Sequence, residues 1–136
     1  PIILKDGKKI VQKKASNFLN TYWGYIHPTS CISVRREFIN KVFDSAFQKN
    51  FTNIWFDLRV LIFSKYLHKY NVINENLTYY RQTEVNISSK FKKFSKKWWD
   101  RRSEAHDYFN DFKKKNNLRI TRNLDFFITK IINKFI

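Results

Sequence analysis

Asp57 is the residue whose type and surroundings most suggest chemistry in this chain. It stands inside an otherwise apolar run, residues 54–63, with the sequence IWFDLRVLIF. A carboxylate among so many aliphatic and aromatic side chains is costly unless it is paired or lines a wet pocket. The pattern therefore predicts either a structural ion pair, for example with Arg59 or Arg36, or a general base that takes a proton from a hydroxyl.

A second group of candidates combines two indoles with two arginines: Trp98, Trp99, Arg101 and Arg102. Arg102 falls on an apolar seam with helical spacing, which consists of Phe91, Phe94, Trp98, Arg102, Ala105, Phe109 and Phe112. A guanidinium there must be paired or must reach a ligand anion, because it cannot be neutralised. The indoles could stack on a sugar or a base, or could hold an arginine by cation–π contact. The alternative is an ordinary core tryptophan beside an arginine that extends to the surface.

The sequence predicts no metal site within this chain. Its three histidines do not follow an HxxxH or HExxH spacing, and a single cysteine excludes an internal disulfide and a multi-cysteine zinc site. Only two glycines are present, so a Gly-rich phosphate loop is excluded as well.

Composition predicts a folded and strongly basic protein. The chain has 136 residues, of which 43% are hydrophobic and 18% aromatic, and a net charge of +16. Residues 1–89 hold thirteen Lys and Arg against six Asp and Glu, and residues 90–136 hold fourteen against five. Such a charge attracts nucleic acid, anionic lipid or phosphate-bearing ligands without choosing among them. Because the chain begins at Pro1 and contains no methionine, we expect it to be a segment of a longer protein.

Hydrophobic periodicity then predicts the elements that position these residues. A few short strands come first, then a central helix, then long C-terminal helices, which together indicate an α+β class. The expected strands are a hairpin of the short apolar runs 2–4 and 10–12 around Asp6-Gly7, then 22–26, 29–34, 70–75 and 77–81. The expected helices are 35–47, 54–69, 87–115 and a last amphipathic helix with Leu124, Phe127, Ile128, Ile131, Ile132 and Phe135 on one face.

Four stretches, taken in order, resemble the C-terminal half of bacterial family 2 glycosyltransferases. They are GYIHPTSCISVRREF at 24–38, IWFDLR at 54–59, LTYYRQT at 77–83 and WWDRR at 98–102. The resemblance covers about residues 20–110 and implies an inverting transferase of the GT-A, Rossmann-like α/β fold. It further implies that residues 1–86 are the acceptor-side part of this core and residues 87–136 are basic, aromatic C-terminal helices.

The resemblance assigns roles to particular residues of this sequence. Asp57 matches the family's catalytic base, which deprotonates the acceptor hydroxyl for in-line attack on the anomeric carbon. The acceptor and diphosphate pocket is expected to be lined by Thr29, Ser30, Arg35, Arg36, Arg59, Trp98, Trp99, Arg101 and Arg102.

The same resemblance implies a donor-binding half that this chain lacks. The family's Asp-x-Asp metal motif has no match here, so a divalent Mn or Mg ion and the nucleotide-sugar donor are expected only with upstream sequence, and the chain alone is expected to be inactive. The acceptor would be a glycan or a lipid-linked sugar, and the location cytoplasmic, with peripheral contact to the inner membrane. The alternative from charge alone is a basic module that binds nucleic acid or an anionic membrane without catalysis.

Overall fold

Four α-helices pack together in the part of the chain whose side chains the structure describes. The computed structural model describes residues 2–5, 8–11, 31–46, 50–67, 79–81 and 90–136, with side chains in 31–44, 50–67 and 90–136. The helices are α1 (Ile39–Ala46), preceded by a 3-10 turn at Arg36–Phe38, α2 (Phe56–Leu67), α3 (Lys96–Lys115) and α4 (Leu124–Phe135).

Three short strands are described by their backbone alone. They are β1 (Ile2–Lys5), β2 (Lys8–Val11) and β3 (Tyr79–Arg81), in the sheet order β2-β1-β3. β1 pairs antiparallel with β2, with Ile2 opposite Val11, and parallel with β3, with Ile2 opposite Tyr79.

The fold class predicted from the sequence, an α+β segment of a GT-A, Rossmann-like domain, is wrong. Throughout 31–44, 50–67 and 90–136 every regular element is helical, and residues 31–34, which were expected to end a strand, are not in one. The core there is built by helix against helix, because the apolar side chains recur every three or four residues. The domain division at residue 86 stays a prediction.

The core lies mainly between α2 and α3. The Tyr66 ring of α2 contacts the Phe109 ring of α3, with centroids 5.3 Å apart, and α1 reaches the same core through Val42. The buried members of this cluster are Val42, Ile54, Leu58, Val60, Ile62, Phe63, Ala105, Tyr108, Phe109 and Phe112. The core therefore fixes how the start of α2 faces the middle of α3, where the candidate residues lie.

α3 begins nine residues later than the periodicity predicts, at Lys96 and not at residue 87. The apolar spacing does continue upstream through Phe91 and Phe94, but Phe94 has a positive φ of 65°, which an α-helix cannot contain. Ser95 then caps the helix, because its side-chain oxygen accepts a hydrogen bond from the Trp98 backbone N–H at 3.3 Å. Apolar spacing alone does not locate a helix start.

We expect Ser95→Ala to lower the free energy of unfolding by about 1 kcal/mol, because the Trp98 N–H loses its cap. Urea denaturation followed by circular dichroism measures the change. Ser95→Asp is the matched control, since its carboxylate can accept the same hydrogen bond and should leave stability nearly unchanged. Equal stability of the alanine variant and wild type would contradict a capping role for Ser95.

Candidate active site

The loop before α2 is tied to α3 by two polar residues of that helix. Glu104 accepts hydrogen bonds from the Asn53 backbone N–H at 3.0 Å and from Asn53 Nδ2 at 2.7 Å. Arg101 Nε donates to the Asn53 carbonyl at 2.8 Å. Because Asn53 lies four residues before Asp57, these contacts hold the first turn of α2 against the N-terminal half of α3.

Arg101 is held between two aromatic rings. The carbon of its guanidinium lies 3.4 Å from the Trp55 ring centroid and 4.0 Å from that of Phe91. Such contacts stabilise a cation that has been removed from water. Burial lowers the pKa of Arg101 to about 10, although the negative charges of Asp57 and Glu104 act in the opposite direction. Its Nη1 is buried and has no hydrogen-bond partner in the described part of the chain.

Asp57 lies in the first turn of α2, close enough to Arg101 for the two charges to interact. Burial raises the pKa of this carboxyl, while a hydrogen bond from the Leu58 backbone N–H to Oδ1 at 2.9 Å and the positive charge of Arg101 act to lower it. The side chain is only partly buried. Asp57 therefore combines access to solvent with a raised pKa, and a general base needs both.

A small cleft opens beside this pair. Its described lining is Trp55, Trp98, Arg101, Arg102 and Ala105. The cleft has a volume of about 30 Å³, enough for roughly two water molecules and too small for a sugar ring. The described lining does not include Asp57.

The structure brings together three of the predicted pocket residues, Trp98, Arg101 and Arg102, at this cleft. Trp99 supports them from inside, since it is buried and its ring packs edge-on against Trp98 with centroids 4.6 Å apart. These four residues were predicted as one group, and their proximity follows from neighbouring positions on α3.

Arg59 does not line the cleft with them. Its Nη2 donates to the Phe51 carbonyl, and its guanidinium lies 5.2 Å from the Tyr108 ring centroid, at the edge of the core. Arg59 is 7% exposed. The arginine closest in sequence to Asp57 is therefore a structural residue, and the cation that acts on Asp57 comes from α3.

Arg35 and Arg36 are exposed and line a wide, open depression together with Glu37. Arg35 Nη1 lies 3.7 Å from Glu37 Oε1, a pair that is too exposed to contribute much to stability. Their predicted role in a diphosphate pocket is not supported by any described contact with the cleft. The remaining predicted pair, Thr29 and Ser30, lies outside the described residues.

Arg102 is engaged in a buried network that the sequence analysis missed. Its Nε donates to Asp125 Oδ1 of α4 at 3.0 Å, and Nη2 donates to the same oxygen. His106 Nε2 lies 3.1 Å from the other oxygen, Oδ2. Asp125 and His106 are 1% and 0% exposed. The arginine on the apolar seam is therefore paired within the protein and does not extend to the surface as the alternative interpretation expected.

Trp55, Phe91 and Asn53 are the site residues that sequence reasoning did not select. Trp55 stands two residues before Asp57, which could have identified it. The backbone carbonyl of Asn53 and the ring of Phe91 lie 48 and 10 positions from Arg101 in the sequence, and no local spacing links them to it. Long-range partners of this kind are set by the packing of the helices.

The described residues do not fit a divalent metal. No group of three or more His, Cys, Asp or Glu side chains in this part of the chain is placed to hold one. The metal implied by the resemblance therefore has no described ligands here, and no chemical step is assigned to it.

Comparisons with known proteins add no family assignment. No family model, curated protein or solved structure matches this chain. The resemblance to family 2 glycosyltransferases stays a prediction.

Proposed function

We propose that this chain is the acceptor-side segment of an inverting glycosyltransferase, with Asp57 as the general base. The transferase moves a sugar from a nucleotide-sugar donor to an acceptor hydroxyl of a glycan or lipid-linked sugar. The observation that carries the proposal is the position of Asp57, a partly buried acid in the first turn of α2, within the electrostatic field of Arg101, which is fixed between Trp55 and Phe91.

The chemistry requires one proton transfer to this chain. The Asp57 carboxylate accepts the proton of the acceptor hydroxyl, the freed oxygen attacks the anomeric carbon, and the bond from that carbon to the nucleotide diphosphate breaks. The leaving diphosphate carries away the electron pair. A carboxyl whose pKa is raised by burial holds the proton better than a fully solvated one, which favours this transfer.

The walls of the cleft suit a sugar at its mouth. Trp98 is partly exposed and Trp55 is 38% exposed, so each indole can present an apolar face to a pyranose ring. Arg101 adds a positive charge to the lining of the cleft, which suits an anionic group of the acceptor. The acceptor therefore binds over the cleft, between the tryptophans and Asp57.

The donor and its metal are assigned to a different part of the transferase. This sequence has no Asp-x-Asp motif, and the described residues offer no metal ligands. We therefore expect the chain alone to be inactive in sugar transfer. The proposal places the enzyme in the cytoplasm, where nucleotide-sugars are made, at the inner surface of the membrane.

Replacing Asp57 with asparagine tests the proposed base. In the full-length transferase, Asp57→Asn should lower kcat by at least about 100-fold, since the amide cannot accept the proton. The measurement is transfer of labelled sugar from a nucleotide-sugar to an acceptor, with donor binding measured separately and expected to be unchanged. Asp44→Asn, at an exposed acid of α1, is the control and should keep full activity. Near-normal transfer by Asp57→Asn would remove the assignment.

Nucleic-acid binding is the alternative that the net charge of +16 supports. In that case affinity would fall steeply with salt, because counterion release would dominate binding. It would also be insensitive to Asp57→Asn. Fluorescence anisotropy with labelled single-stranded and duplex oligonucleotides over a salt series separates this alternative from sugar transfer.

A further inference from the structure

α4 is attached to α3 through its polar side. Asp125 contacts Arg102 and His106, and Lys130 Nζ donates to Ser103 Oγ and Asp107 Oδ2, both at 2.7 Å. Asp125 and Thr129 are 1% and 0% exposed. Because positions four apart share a helix face, the face that packs on α3 is lined by polar side chains.

The opposite face of α4 is apolar and exposed. Its side chains recur every three or four residues, about half a turn away from Asp125 and Thr129. We call this set the α4 stripe; its members and exposed fractions are Leu124 58%, Phe127 50%, Ile131 58% and Phe135 82%. A contiguous row of large apolar side chains in water marks a surface that another partner covers.

The charge around the stripe identifies that partner. Residues 113–136 contain seven Lys and Arg and a single acid, Asp125, which is buried against Arg102 and His106. Lys113 is buried, and Lys115 and Lys130 pair with Asp111 and Asp107 of α3. The exposed cations of this segment are Lys114, Lys115, Arg119, Arg122 and Lys134. A second copy of this chain would bring the same positive charge to the interface, and each copy carries +16. A nucleic-acid backbone would satisfy the charge but offers no apolar surface for the stripe. An anionic lipid surface provides negative charge for the cations and an apolar interior for the α4 stripe.

We infer that α4 lies in the surface of an anionic bilayer, with the α4 stripe inserted between lipid headgroups and with Lys134 beside it facing lipid phosphates. Lys134 is exposed and lies one turn from Ile131, at the edge of the stripe. No helix in the described part of the chain is both long enough and apolar enough to cross a bilayer. Binding parallel to the surface needs only the 12 residues of α4.

Vesicle flotation with the 136-residue chain tests the insertion. Wild type should bind vesicles of phosphatidylcholine mixed with phosphatidylglycerol, and Ile131→Ser should weaken this binding about tenfold, because an apolar side chain no longer leaves water. Ile39→Ser is the matched control: it removes the same side chain from α1, where it is 40% exposed, and should leave binding unchanged. Leu124→Ser is a second stripe variant, and circular dichroism checks that each variant keeps its helices.

Charge is tested by a separate variant. Lys134→Gln should weaken binding to the phosphatidylglycerol vesicles about fivefold, and vesicles of phosphatidylcholine alone should not distinguish it from wild type. High salt should remove the difference as well.

Three results would overturn the inference. One is the failure of wild type to float with anionic vesicles, and another is full binding by Ile131→Ser and Leu124→Ser. The third is a concentration-dependent dimer in sedimentation experiments that these two variants abolish, which would assign the stripe to a second copy. None of these readouts depends on sugar transfer, so the outcome is independent of the role of Asp57.

Discussion

Replacing Asp125 with alanine is expected to lower the free energy of unfolding by about 3–5 kcal/mol. The carboxylate is 1% exposed and is shared by Arg102 on one oxygen and His106 on the other. Removing it leaves a mostly buried guanidinium and a fully buried imidazole without their common acceptor. Chemical denaturation of wild type and Asp125→Ala, followed by circular dichroism, measures the loss.

Asp107→Ala is the control for this prediction. Asp107 also joins α3 to α4 through an ion pair, with Lys130 Nζ at 2.7 Å, but its side chain is 52% exposed. Water screens such a pair, so its removal should cost less than about 1 kcal/mol. A similar loss of unfolding free energy in the two variants would contradict the view that burial makes the Asp125 network important for stability.

The pH dependence of the free energy of unfolding gives a second measurement on Asp125. Burial raises the pKa of Asp125, but hydrogen bonds from His106 and Arg102 outweigh it and hold the pKa below the usual 3.8. A carboxyl with a lowered pKa in the folded state stabilises the protein above its unfolded pKa and loses this effect as the pH falls. The difference in stability between wild type and Asp125→Ala should therefore be largest above pH 3.8 and shrink on acidification below it. A difference that grows on acidification would contradict this sign.

Arg102 illustrates what the sequence could and could not show. Its place on an apolar seam correctly predicted that the guanidinium must be paired or must reach an anion. The partner, Asp125, lies 23 residues further along the chain, and its identity follows from α4 packing against α3. Sequence periodicity identifies residues that need a partner, but it does not show which residues of another helix will lie close to them.

In their described parts, residues 31–34 and 90–95, the strand predicted at 29–34 and the helix predicted to start at residue 87 do not form, for related reasons. β-branched residues alternate over 29–34, but residues 31–34 are not in a strand, because such a pattern forms a strand only when a neighbouring strand pairs with it. The apolar seam continues upstream of α3. The helix nevertheless begins only at Lys96, because Phe94 has a positive φ and Ser95 is the N-cap. In both places backbone conformation overrides the hydrophobic pattern.

The location of the core was easier to predict than the fold class. Phe109 and Phe112 of the predicted seam are buried, as are Leu58, Ile62 and Phe63 of the central apolar run. The resemblance favoured a sheet-based fold, but the side chains of this chain pack helix against helix. The proximity of Asp57 to Arg101 depends on that packing and could not be predicted from spacing.

Phe109→Ala is expected to lower the free energy of unfolding by about 3–5 kcal/mol, because it opens a cavity in the middle of the core. The Phe109 side chain is 0% exposed and contacts Tyr66 of α2, with ring centroids 5.3 Å apart, and Lys113 Nζ, which lies 4.6 Å from its ring centroid. Its truncation therefore removes apolar burial and also a contact that holds α2 on α3. Urea denaturation measures the change.

Phe127→Ala provides the matched comparison, since it makes the same substitution on α4 at a side chain that is 50% exposed. Little buried contact is lost there and alanine favours the helix, so the cost should stay below about 1 kcal/mol. A large loss of unfolding free energy in Phe127→Ala would mean that the α4 stripe is packed inside the protein. It would also remove the basis for the insertion of this stripe into lipid. A small loss from Phe109→Ala would instead mean that α2 and α3 are not held together at this point, and that Asp57 and Arg101 need not lie side by side.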